Sequence, residues 1–262
     1  MVRRVPTNAV TGPTVGGGAW LLRRPAWWPP AELLLAPALV ILLLHAVTTS
    51  EALFPNQNDL LLYFRKAEAL AAGGMPYRDF AFEYPPLALV SMAVPYVAWP
   101  AGNVGFDLYR WLFTAWQAIL LVGMAIVTAR LADLLAEGSG ILERASLARR
   151  AGTRLVILVL VTAPSLTFRF DLLPALLTAI AVVAILERRA GWAGVLIGLG
   201  ALVKLYPLVL VPVVVAIWLA RGDRMGLVTF FGGLGLTLAI VLLPVSVLAG
   251  DAAWSFVTYH AA

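Results

Sequence analysis

Apolar runs long enough to cross a bilayer recur along the whole chain, and nothing constrains its fold more. Leu33 to Thr48, Trp111 to Thr128, Leu155 to Phe168 and Leu227 to Leu248 are examples. In hydrocarbon every backbone N–H and C=O must find a partner within the protein, so segments of this kind are expected to be helices. With 61% hydrophobic and 13% charged residues, the chain has about half the charge of an ordinary soluble domain. The expected fold class is all-α, a polytopic membrane helical bundle. The chain has no Cys, which excludes disulfides, thiolate metal sites and thiol nucleophiles. Its two His argue against a His-rich metal site.

The formal net charge is +5, but the basic residues fall between the apolar runs, which makes them a topology signal rather than a nucleic-acid footprint. They gather at Arg3, Arg4, Arg23 and Arg24, at Arg144, Arg149, Arg150 and Arg154, at Arg188 and Arg189, and at Arg221 and Arg224. Placing each group on the cytoplasmic side predicts seven spans, near 32–49, 107–131, 155–168, 172–186, 191–203, 205–220 and 225–248, with the N-terminus inside. Parity requires that Pro86 to Trp99, short and carrying Pro86 and Pro95, be re-entrant or interfacial. It also requires a break near Lys204, Tyr206 and Pro207, and an outer tip at Arg169 and Asp171. Residues 1–30 read as a cytoplasmic disordered tail, Gly/Pro/Thr-rich from Thr7 to Gly18, and 31–262 as one membrane domain. A signal peptide is the rival reading of the first run, but no small-residue cleavage site follows it. Gly16-Gly17-Gly18 follows no strand and lacks a phosphate-loop Lys-Ser/Thr, so nucleotide binding has no support.

Ionisable chemistry concentrates in the predicted outer loop, residues 50–106, which holds Glu51, Asp59, Arg65, Lys66, Glu68, Arg78, Asp79 and Glu83. Loops of this length are usually functional. From Asp59 to Ala72 the spacing predicts a helix with Leu60, Phe64, Ala67 and Ala71 on one face, lying on the membrane surface. Asn58 or Asp59 caps its start, and Gly73-Gly74 stops it. Capping alone is the plain account of Asp59.

Asn58-Asp59-Leu60, Tyr63-Phe64, Ala67, Gly73-Gly74, Pro76-Tyr77-Arg78-Asp79-Phe80 and Phe82-Glu83-Tyr84-Pro85-Pro86-Leu87 resemble the first outer loop of the polyprenol-phosphate-mannose-dependent mannosyltransferases. A second block, Arg169-Phe170-Asp171 with Pro174, Gly191, Gly194, Gly198 and Lys204-Leu205-Tyr206-Pro207-Leu208, is similar to the same family. The similarity runs from about Leu33 to the C-terminus. It implies a GT-C fold with a long first outer loop carrying juxtamembrane helices. It implies an enzyme that moves a sugar, mannose in this family, from a polyprenyl-phosphate carrier to a lipid or glycan acceptor at the outer face of the plasma membrane. On the same ground Asp59 is the candidate catalytic base. A carboxylate within reach of the acceptor hydroxyl can take the proton that leaves as the oxygen attacks the sugar.

A lipid phosphate as leaving group calls for cations at the outer boundary, and Lys204 and Arg169 are the leading candidates, followed by Arg65, Lys66 and Arg78. Each has a structural alternative in a side chain that snorkels at a helix end, and Arg169 has a second one in a simple pair with Asp171. Glu83 is a candidate for positioning substrate, while Pro85-Pro86 reads as structural. His260 is a low-ranked substrate-binding candidate, and His45 a polar group satisfied within the bundle. Trp27, Trp28, Trp99 and Trp254 read as interface anchors. The resemblance implies no cofactor, and a lone Asp is a weak divalent-ion signature, which leaves metal dependence open. Relatives of this kind usually continue with further spans, so the ending at Ala262 suggests a fragment or truncated product. A lipid or solute transporter is the alternative function, with Lys204 near mid-membrane, although no internal repeat supports it.

Overall fold

The computed structural model describes residues 25, 27–48, 58–99 and 104–258. The expected tail falls almost wholly outside these, as do residues 50–57 of the loop and His260. Ten helices occur among the described residues: α1 (Ala31–Thr48), α2 (Asn58–Ala71), α3 (Ala88–Val97), α4 (Phe106–Leu135), α5 (Ile141–Leu166), α6 (Leu172–Leu186), α7 (Ala190–Val203), α8 (Leu210–Ala220), α9 (Arg224–Ala249) and α10 (Ser255–Thr258). The 3₁₀ turns Tyr206–Val209 and Gly250–Trp254 precede α8 and α10. The fold is an all-α membrane helical bundle. By length and apolar character α4 and the stretch Arg224–Thr258 are each sufficient to cross a membrane, while Ala31–Val47, Leu172–Leu186, Ala190–Val203 and Tyr206–Ala220 are shorter apolar helices.

One boundary and one buried face differ from the sequence reading. The helix expected over 155–168 begins at Ile141. Hydropathy registers only its apolar half, but the preceding residues 142–151 are, apart from Ser146, all Leu, Glu, Arg and Ala, good helix formers. Its Gly152 packs so closely on α1 that an added Cβ would lie 3.1 Å from a methyl of Leu33. In α2 the buried stripe is Leu60, Tyr63 and Ala67, with Phe64 only partly buried and Ala71 exposed. That stripe packs on protein, in a cluster with Phe82, Met92, Tyr109, Phe113 and Phe170, not on a lipid surface. The segment expected to be re-entrant or interfacial contains α3, whose ten residues extend only about 15 Å; Ala88, Leu89, Ser91, Met92 and Pro95 are buried. Gly73, at φ +88°, ends α2 in a conformation that favours glycine.

Helices α7 and α9 cross at van der Waals contact because glycines line both sides. A Cβ built on Gly194 would lie 2.0 Å from the Phe230 carbonyl oxygen, and one on Gly233 2.3 Å from that of Gly191. Of the glycines noted in the sequence, Gly194 thus serves backbone approach, Gly198 lies against the Thr237 side chain, where a Cβ would be 3.0 Å away, and Gly191 would place a Cβ at an ordinary 3.7 Å. Such small-residue seams replace the hydrophobic drive that lipid cannot supply.

Opposite ends of the bundle carry separate charge clusters. At one, Arg130 of α4 spans Asp133, 2.7 Å away, and Glu187 after α6, also 2.7 Å away. Arg144 of α5 donates to the same Asp133 at 2.7 Å, and Arg189 lies 3.2 Å from Glu187. Asp133 is nearly inaccessible, with 2% of its side chain exposed, and accepts from two guanidiniums. Here the end of α4, the start of α5 and the α6–α7 link are tied together. The α5–α6 and α7–α8 links lie at the other end.

Gly194→Val would force apart a backbone contact that has no side chain to move, and is expected to lower stability by about 3 kcal/mol. Gly235→Val, with nothing within 4 Å of its added Cβ, should change it by less than about 0.5 kcal/mol. Thermal unfolding of the two variants in detergent checks the difference; equal effects would count against the seam.

Candidate active site

Phe170 lies in the link between α5 and α6, and its ring is 2% exposed. It meets Tyr63 of α2 edge-on at 5.3 Å and Tyr84 at 5.0 Å with the ring planes 89° apart, an arrangement that suits the aromatic quadrupole. The Tyr63 hydroxyl donates to that of Tyr84, and burial raises the pKa of both, so both stay protonated at neutral pH. Tyr84 is held in turn by Tyr77, whose hydroxyl donates to the Tyr84 carbonyl at 2.6 Å. Tyr77 has φ +68°, unusual for a residue with a Cβ, and its ring is anchored between Phe82 and Phe256.

With Phe170 turned inward, its neighbours point to different partners. Arg169 places Nη1 2.7 Å from Oδ2 of Asp59, in the first turn of α2. Asp171 accepts a hydrogen bond from Lys204, whose Nζ also lies 5.5 Å from the centre of the Phe170 ring. A local Arg169–Asp171 pair is therefore replaced by two pairs to distant elements. Gln117 of α4 fixes the link from below: its amide donates to the carbonyls of Leu166, at 3.2 Å, and Arg169.

Lys204 is positioned by a break in the helix. It terminates α7 with extended φ −157°, ψ 137°, while its N–H still donates to the Gly200 carbonyl at 2.8 Å. Pro207 sits against Gly200, where a Cβ would lie 3.0 Å from the proline ring. A backbone bond of 2.8 Å from Leu87 to the Leu202 carbonyl fastens the Glu83–Leu87 strap alongside. The four charged groups are partly open, with side-chain exposures of 35% for Asp59, 54% for Arg169, 38% for Lys204 and 44% for Asp171. Pairs at that exposure contribute little to stability, about 1 kcal/mol or less, and remain accessible to a ligand.

The other candidates lie apart from this group. Lys66 hydrogen-bonds the Ala81 carbonyl and lies 3.9 Å from Glu83, with both side chains 15% exposed. It therefore fastens α2 to the strap. Arg78 pairs with the adjacent Asp79, holding that carboxyl down at about 2, and Asp79 accepts from the Met75 N–H at 2.8 Å, closing the loop on itself. Arg65 is exposed on α2. Asp171, Tyr63, Tyr84 and Gln117 were missed as members of the site. Among the described residues no group of three or more His, Asp or Glu is arranged to hold a metal ion.

The bundle thus gathers two carboxylate–cation pairs at one end, beside buried tyrosines, groups able to accept a proton and to pair with an anion. The family comparison supplies the class: Glycosyltransferase family 87 matches residues 82–260, about two thirds of the chain. The chain belongs to that family and is a membrane glycosyltransferase. No curated protein and no solved structure matches it. The matched region contains Glu83, Arg169, Asp171 and Lys204 and begins after Asp59, Arg65, Lys66 and Arg78.

Gln117→Leu leaves two link carbonyls without a donor in a buried setting and is expected to lower stability by about 2 kcal/mol. Thermal unfolding measures this, and an unchanged midpoint would mean that Gln117 does not hold the link.

Proposed function

We propose that the chain transfers a sugar, mannose by the resemblance of its loop motifs, from a polyprenyl-phosphate carrier to a lipid or glycan acceptor at the outer face of the plasma membrane. The observation that carries this reading is the double pairing around Phe170, Asp59 with Arg169 and Asp171 with Lys204. It brings a candidate base and two candidate phosphate-binding cations to one end of the bundle. The cytoplasmic N-terminus and multi-pass topology of the proposal rest on the basic residues between the apolar runs.

In the proposed step the acceptor oxygen attacks the anomeric carbon and its proton passes to Asp59. The bond between that carbon and the carrier phosphate oxygen breaks, and the electron pair leaves with the lipid phosphate. Lys204 and Arg169 stabilise the charge that develops there, where fixed cations in a site of restricted water act strongly. Donor phosphate and Asp59 compete for Arg169, so arrival of the donor draws the guanidinium away and frees the carboxylate to accept a proton. Unliganded, the pairs keep four charges compensated at the membrane boundary. Tyr63 and Tyr84, kept protonated by burial, add hydroxyls beside the pairs.

Membranes containing the chain, incubated with radiolabelled polyprenyl-phosphate-mannose and a cell-envelope lipid extract, should yield a labelled product on thin-layer chromatography. Asp59→Asn should reduce the rate by roughly 10²- to 10⁴-fold, the usual contribution of a general base, while the protein still inserts. Lys204→Ala should raise the donor KM as well. Full transfer by Asp59→Asn would remove Asp59 as the base, and transfer only from a nucleotide sugar would remove the lipid-linked donor.

A further inference from the structure

At the end of the bundle remote from Phe170, helices α4 and α5 part. Thr128, Leu131, Ala132 and Leu135 form an i, i+3, i+4, i+7 stripe on α4; Leu147, Arg150, Ala151 and Arg154 form the same stripe on α5. Facing stripes of this periodicity ordinarily interlock as a packed seam. Here they enclose a groove of about 420 Å³, apolar on the α4 side and bearing two guanidinium groups on the other.

The charges are unusual in three respects. Arg130 and Arg144, close by, are matched to Asp133 and Glu187, whereas no ion pair of Arg150 or Arg154 occurs among the described residues. Like charges at i and i+4 on one helix repel unless an anion lies between them. Depth is the third. From Leu166, at the end of α5 beside the Asp59–Arg169 pair, Arg154 is only about 18 Å along the helix and Arg150 about 24 Å, less than the ~30 Å thickness of a hydrocarbon core. Helical side chains lean toward the helix N-terminus, so both guanidiniums reach toward the opposite membrane boundary. That is the level of lipid phosphates.

We propose that the α4–α5 groove binds an anionic glycerophospholipid, its phosphate between Arg150 and Arg154 and an acyl chain against Leu131, Leu135 and Leu147. The membrane supplies this ligand at the right depth with the right charge, and its chain fills a wall that protein packing leaves open. The site lies at the opposite end from the carbohydrate chemistry and does not depend on the proposed donor. Binding joins two helices that otherwise separate here, so the lipid stabilises the bundle.

Native mass spectrometry of the full chain in detergent, with phosphatidylglycerol, phosphatidylcholine or polyprenyl phosphate added, tests this. Phosphatidylglycerol should bind at least tenfold more tightly than phosphatidylcholine, and the Arg150→Gln/Arg154→Gln variant should lose that preference, since two basic side chains account for roughly such a factor. Arg149→Gln/Arg188→Asn, which removes equal charge outside the groove, should keep it. Equal loss in both variants, retention in the first, or a preference for polyprenyl phosphate over phosphatidylglycerol that the Arg150→Gln/Arg154→Gln variant abolishes would overturn the proposal. A photoreactive phosphatidylglycerol applied to the unmodified protein should label residues 128–154; labelling elsewhere would overturn it without relying on any variant.

Discussion

The burial of Phe170 sets the direction of every charge around it. A ring wedged edge-on against Tyr63 and Tyr84 cannot rotate without opening the cluster that also contains Phe82 and Phe113. Because Arg169 and Asp171 flank it in sequence, they emerge on either side of the wedge and reach different elements. Helix α2 is thereby joined to the α5–α6 link, and that link to the broken end of α7. Four helices share one small structure, which explains how groups 145 residues apart in sequence, Asp59 and Lys204, come to a common end of the bundle.

The rest of the fold serves this convergence by economy of space. Glycines on α7 and α9 permit backbone contact and hold α7 firmly enough for the residue that follows it, Lys204, to be displayed at a defined place. Gln117 performs the same service for the link from α4. Compensation of charge is handled differently at the two ends. Asp133, with 2% of its side chain exposed, is paired with two guanidiniums, as a buried charge must be. The pairs around Phe170 are half open, with side-chain exposures from 35% to 54%.

Much of this was legible in the sequence because charge stands out against an apolar background. Asp59, Arg169 and Lys204 became candidates through the family resemblance and the lipid-phosphate donor it implies, and the break after Val203 followed from charge parity and Pro207. The partners were not. Adjacent Arg169 and Asp171 suggest each other, and only the inward turn of Phe170 separates them. Tyr63 was overlooked because the stripe through Leu60, Phe64 and Ala71 has equally good helical spacing, and the burial of α2 on protein instead of lipid decides between the two. The charged first half of α5 was invisible to hydropathy, since a helix that packs on a neighbour through Ala148 and Gly152 needs no long apolar run. Lys66 and Glu83 have the composition of a substrate site, but their contact with each other is a tertiary fact.

The pair formed by Arg130 and Asp133 has a consequence for biogenesis. The two residues are one helical turn apart on α4 and bond to each other at 2.7 Å, which makes the segment nearly neutral before any other helix is present. A lone arginine or aspartate near a span end must wait for its counter-ion or leave the bilayer; a self-compensated turn enters the membrane at a lower cost. Helix α4 therefore carries a counter-charge of its own. Arg144 and Glu187, later in the chain, complete the network on that pair.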